Sequence, residues 1–165
     1  MALVCSACAQ KLTIRTYPGP ELPPDQVATL SGARHLMFWL FYNRTTWIRI
    51  LSVDEHHAEP AADEWLLLPG RHTAHTAYRV NHFILGPGSA WASVTQRARL
   101  KSVPFTSQPG HRYRADGRII DVEGAPSEYC AWIEDAETGE VVGGSKDPTP
   151  TPAAGPLPPE KLRPQ

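Results

Sequence analysis

The sequence predicts an all-β protein, a single antiparallel β-sandwich or open barrel of about seven or eight strands with one short N-terminal helix. Three observations predict it. With 17 prolines and 12 glycines in 165 residues, long helices are disfavoured. Aliphatic and aromatic side chains fall in short runs that alternate with polar ones at period two. Turn residues recur at spacings of roughly ten residues, as in sandwiches and barrels.

The elements follow in order. Residues 22–30, LPPDQVATL, predict the short helix: prolines are tolerated in a first turn and Asp25 suits the positive end of the dipole. LMFWLFY at 36–42 is the longest apolar run and predicts a buried central strand; a membrane-crossing helix needs about 20 residues. In residues 45–53, Trp47, Arg49 and Leu51 alternate with Ile48, Ile50 and Ser52. Residues 64–80 predict a strand, a Pro69-Gly70 turn and a second strand. Residues 95–105 alternate again as one strand. In residues 111–122, Asp116-Gly117 predicts a two-residue hairpin turn, because the pair tolerates positive φ. Residues 129–144 predict two strands around a loop at Thr138-Gly139.

These elements divide the chain into a signal remnant and tether at 1–20, a β domain at 21–144, and a tail at 145–165. The tail is rich in proline and poor in apolar side chains, so it predicts a disordered, polyproline-like segment. The formal net charge of −1 supplies no global field to recruit nucleic acid.

The N-terminal stretch VCSACAQ at 4–10 bears on location. A structural zinc site wants four ligands, and beyond Cys5 and Cys8 the only other cysteine is Cys130. A redox Cys-x-x-Cys wants a strand before it and a helix after it, and neither is legible here. Ser6-Ala7-Cys8 has the small residues that precede the acylated cysteine of a bacterial lipoprotein, with Cys5 where leucine is usual. Cys8 is therefore the expected lipid attachment, with a start codon assigned too late explaining the missing basic and apolar parts of the signal. Residues 9–20 then form a tether of at most roughly 40 Å at about 3.3 Å per residue.

Behind the cysteine come TYPGPELPPDQVATL (16–30), IRILSVD (48–54), LLLPGRHTAHTAY (66–78), PFTSQPGHRYR (104–114) and WIEDAETGEVV (132–142). In this order they resemble a group of small, uncharacterised proteobacterial envelope lipoproteins. That group runs through a lipidated cysteine, a Tyr-x-Gly-x-x-Leu-Pro segment, a Leu-Pro-Gly-x-His strand and a Trp-x-x-Asp…Thr-Gly ending. The chain departs from the group at Glu55, where glycine is usual, and residues 56–63 replace a tight turn. The resemblance covers about 16–142. It implies a sandwich-like envelope domain and brings no catalytic residues.

Two site patterns remain. Arg97, Arg99 and Lys101 share a strand face by period two, and Arg112 and Arg114, joined by Arg118, stand on the next expected hairpin. If those strands pair, they form a candidate anionic-ligand stripe for lipid headgroups or an envelope partner. His56 and His57 lie among Asp54, Glu55, Glu59 and Asp63, an arrangement open to a divalent ion. His72 and His75 fall on opposite faces of a strand, and His72 and His111 are expected to bond local backbone. Cys130 is expected as a small buried residue. No nucleophile elbow, phosphate loop or zinc-protease motif is present, so no catalytic residue, metal site or cofactor is assigned.

The reading that joins these points is a non-catalytic binding or structural domain in the bacterial envelope. Acyl chains on Cys8 hold it to the membrane with the domain in the periplasm. The alternative is a metal-binding protein or small metal-dependent enzyme using the His56/His57 loop. A soluble interaction module starting at Met1 is a third option.

Overall fold

The computed structural model describes residues 11–39, 42–58, 62–84, 92–97, 100–120 and 128–147. Their secondary structure is strand throughout: β1 (Thr13–Arg15), β2 (Ala28–Gly32), β3 (Arg34–Trp39), β4 (Tyr42–Val53), β5 (His56–His57), β6 (Glu64–Leu67), β7 (Gly70–Ile84), β8 (Ala92–Arg97), β9 (Lys101–Ser107), β10 (Arg112–Ile120), β11 (Glu128–Asp135) and β12 (Val141–Gly144). Cys8 and the tail from 148 lie outside the described residues.

The strands form one sheet in the order β1-β6-β2-β10-β11-β12-β9-β7-β4-β3, with β5 added to β4 and β8 to β7. It is a strongly curled open sheet, a half-barrel, and not two packed layers. The all-β expectation holds. The sandwich and the count of seven or eight do not, and the sheet is mixed, since β1–β6 and β2–β10 pair in parallel.

Curling brings distant parts of the sheet together. Ala33, between β2 and β3, donates its N–H to the Ala115 carbonyl of β10 at 2.8 Å and accepts the Ile48 N–H of β4 at 2.9 Å. A β-carbon on the preceding Gly32 would fall 1.9 Å from the Ile48 carbonyl oxygen, so only glycine permits that approach.

Alternation sets which side is dry. Ile48 and Ile50 of β4, Ala74, Thr76, Tyr78 and Val80 of β7, and Val103 and Phe105 of β9 are buried in the curl. Trp65 and Leu67 of β6, Leu30 of β2 and Ile133 of β11 complete the core, all of them fully buried. Each buried leucine, isoleucine, valine or phenylalanine among them contributes about 1.5–3 kcal/mol by leaving water.

Several local expectations are corrected. Residues 24–26 are a turn and Ala28–Gly32 a strand, and no helix occurs among the described residues. The edge pairing that Ala28–Ser31 gains from β6 outweighs a weak, proline-led helix signal. The apolar run at 36–42 is not one central strand but parts of two hairpin arms, with Trp39 opposite Tyr42. β3 ends the sheet, and Leu36 and Met37 are 62% and 58% exposed. Asp116-Gly117 makes no hairpin: β10 runs straight through it, antiparallel to β11. The single strand expected at 95–105 is two strands, β8 and β9, lying end to end along β7. The strands on either side of Pro69-Gly70 both form, but β6 and β7 do not pair with each other. Thr13–Arg15, expected in the tether, pair with Glu64–Leu66.

Candidate anion-binding groove

The long arms β3, β4, β7 and β8 stand side by side in register. Arg34 faces Trp47, Trp47 faces Arg79, and Arg79 faces Arg97, so the four positions form one row across four strands. Paired residues share a sheet face, and Arg49, two residues beyond Trp47, belongs to it as well. Because Thr46, Ile48 and Ile50 of β4 and Ala74, Thr76, Tyr78 and Val80 of β7 fill the core, this row is on the outer face. Alternation of a buried Ile48 and Ile50 with Trp47 and Arg49 is the sequence cause.

A groove of about 570 Å³ opens on this face, lined by Arg34, Trp47, Arg49, Asp63, Arg79 and Asn81 among others. The Arg34 guanidinium carbon stands 5.7 Å from the centroid of the Trp47 ring, a cation–π contact. Arg79 is half-buried, and its Nε has no hydrogen-bond partner although it is shut off from water. Arg34, Arg49 and Arg79 take part in none of the ion pairs among the described residues. The one carboxylate of the lining among the described residues, Asp63, accepts the backbone N–H of Leu12 at 3.0 Å. Among the described residues, three guanidiniums against one engaged carboxylate make the lining cationic. It can take an oxyanion, since guanidinium forks match carboxylate and phosphate geometry.

The sequence-predicted stripe is distributed differently. Lys101 is on β9, while Arg112 and Arg114 are on β10, and β11 and β12 lie between those two strands. Arg114 is bonded to Glu134, which also accepts Lys146 at 2.8 Å and the Trp132 ring N–H at 3.2 Å. Burial pushes the Glu134 carboxyl up, but those three donors outweigh it and hold it down at about 2. Arg118 reaches Asp147 at 3.2 Å. Arg97 faces Arg79 whereas Lys101 faces Thr76, four residue steps against three, so period two is interrupted and the two positions fall on opposite faces. Arg99 lies outside the described residues. Of the stripe residues among the described ones, Arg97 alone stands in register with the arginine row.

The histidines are dispersed. His35 pairs with Asp116 at 2.8 Å, His72 with Asp54 at 2.7 Å, and His111 with Asp135 at 2.7 Å. His72 also bonds the Leu68 carbonyl, as expected for local backbone, while the partner of His111 is a carboxylate from β11. His75, on the other face, bonds Ser102. For Asp54, burial acts upward, but the His72 and Thr73 hydrogen bonds prevail and the carboxyl lies below its usual range. His56 and His57 form β5 and are exposed. Of the acids expected around them, Asp54 bonds His72 and Asp63 bonds Leu12, while Glu59 lies outside the described residues. Among the described residues no three histidines, cysteines or carboxylates gather as a metal site would require.

Sequence reasoning missed Arg34, Trp47, Arg49 and Arg79 as one site. Trp47 and Arg49 are visible as one face of one strand, but their juxtaposition with Arg34 and Arg79 depends on strand register. The fold and the groove define a curled all-β domain with an exposed arginine–tryptophan face. Compared with protein-family models, with curated proteins and with solved structures, the chain matches none.

Proposed function

We propose that this protein is a non-catalytic binding domain of the bacterial envelope, anchored to a membrane by acyl chains on Cys8 and facing the periplasm. The observation that carries the reading is how little chain separates the cysteine from the fold. Leu12 is already tied to Asp63, and β1 begins at Thr13. Ala9 to Lys11 are all that lies between, so Cys8 stands at most roughly 14 Å from the body of the domain at about 3.5 Å per residue. An acylated Cys8 therefore holds the domain against the bilayer surface. Two or more acyl chains make such an anchor stable, at about 0.8 kcal/mol per buried methylene. The order of motifs shared with the envelope lipoproteins supports the same reading.

The test is the mass of the N-terminal peptide from protein expressed with its native upstream DNA. A peptide beginning at Cys8 and carrying acyl chains is expected, together with recovery in the membrane fraction and its loss in Cys8→Ala. An unmodified peptide that begins ahead of Cys8 refutes the anchor.

A further inference from the structure

We infer that the arginine groove binds the phosphodiester headgroups of anionic phospholipid, so that the domain grips the surface to which it is anchored. Three features of the groove point to phosphate. Arg34, Arg49 and Arg79 converge with no carboxylate partner among the described residues. The Arg79 Nε is already stripped of water and unpaired, so a ligand oxygen recovers a hydrogen bond whose absence otherwise costs stability. Arg97 extends the row from β8, opposite Arg79.

Two further features point to a lipid surface. Trp47 lies beside the Arg34 guanidinium, and tryptophan is enriched at the headgroup level of bilayers. Leu36, exposed and two residues along from Arg34 on the same strand, adds an apolar contact on the same face, suited to the acyl boundary. The groove also borders the entry of the tether, because Asp63 in its wall accepts the Leu12 N–H. Its position at the membrane rests on the anchored reading; its affinity for phosphate does not.

The experiment uses the full chain as Cys8→Ala, which carries no acyl group. Binding to vesicles of phosphatidylglycerol with phosphatidylcholine is compared with vesicles of phosphatidylcholine alone, at low and high salt. Binding to the anionic vesicles alone, weakened by salt, is expected, because surface attraction fades within a Debye length. The double variant Arg34→Glu/Arg79→Glu should weaken it by about ten-fold or more. Arg49→Glu, at an exposed position, should weaken it to a smaller extent and covers the case in which the double variant fails to fold. Arg112→Glu, on β10, should bind as the parent does. Equal losses in Arg112→Glu and Arg49→Glu, or no loss in Arg49→Glu, overturn the assignment. Glycerol phosphate binding without vesicle binding overturns the bilayer as the source and leaves a soluble phosphate ester. Vesicle binding by the Cys8→Ala chain is read separately from the N-terminal peptide mass, so the groove and the anchor stand or fall independently.

Discussion

Tyr129 lies across Gly117 so closely that a β-carbon at position 117 would stand 2.5 Å from its ring. The same β-carbon would meet the Cys130 carbonyl oxygen at 2.6 Å. The glycine serves a packing slot within a continuous strand, where the tyrosine ring of β11 covers β10. Gly117→Ala is therefore expected to cost about 1–3 kcal/mol, the usual range for overpacking a filled site. Urea unfolding reads this directly, and an unchanged midpoint would mean that the ring has room to move.

The Tyr129 hydroxyl donates to Thr76 Oγ1 at 3.3 Å, and Thr76 donates in turn to the Lys101 carbonyl at 3.3 Å. This short chain links β11, β7 and β9 across the curl. Burial of the phenol pushes its pKa up to about 12. A raised folded value means that stability is fully present below the ordinary value of 10.0 and is lost as pH rises from there toward 12. Thermal melting between these limits should fall in the parent. In Tyr129→Phe the fall should be reduced, at a cost of about 1 kcal/mol at neutral pH for the lost hydrogen bond.

Acid acts through the opposite end of β11. Hydrogen bonds from His111, and then from the Thr138 and Glu137 N–H groups, hold Asp135 at about 2, and the neighbouring Glu134 is also at about 2. Both folded values lie below the ordinary 3.8 and 4.5, so the unfolded chain binds more protons in between. Stability is therefore present above about pH 4.5 and is lost as pH falls toward 2. A melting series over that range should show the fall. Glu134→Gln should make it shallower and cost about 1–3 kcal/mol at neutral pH, because Arg114 and Lys146 lose a charged acceptor. An unaltered acid slope in this variant would remove Glu134 from the account.

Cys130 is buried, and its thiol donates to the Ser145 carbonyl at 2.9 Å. Alkylation followed by peptide mapping should leave the Cys130 peptide protected in the native chain and open it in denaturant. Rapid native labelling would contradict both the burial and the hydrogen bond.

Much of this fold is legible residue by residue. The alternation through Trp47 to Ser52 marks β4 and its dry face, and the Thr138-Gly139 loop separates β11 from β12. What misleads is any signal with two local solutions. Asp116-Gly117 has the chemistry of a hairpin turn, yet Gly117 is used for close packing because Tyr129 arrives from a strand eleven positions further on. The apolar run at 36–42 fits one buried strand or two hairpin arms, and the apolar count is the same for both.

The amino-acid sequence by itself determined the all-β class, the strand faces and the burial of Cys130, because these follow from period-two alternation and side-chain chemistry along the chain. Tertiary structure alone decided the curled open sheet, the company kept by Glu134 and Tyr129, and the row of Arg34, Trp47, Arg79 and Arg97. The reason is register: the pairing of β3, β4, β7 and β8 is set by contacts between residues far apart in the chain, and a slip of one residue would send every side chain of a strand to the other face.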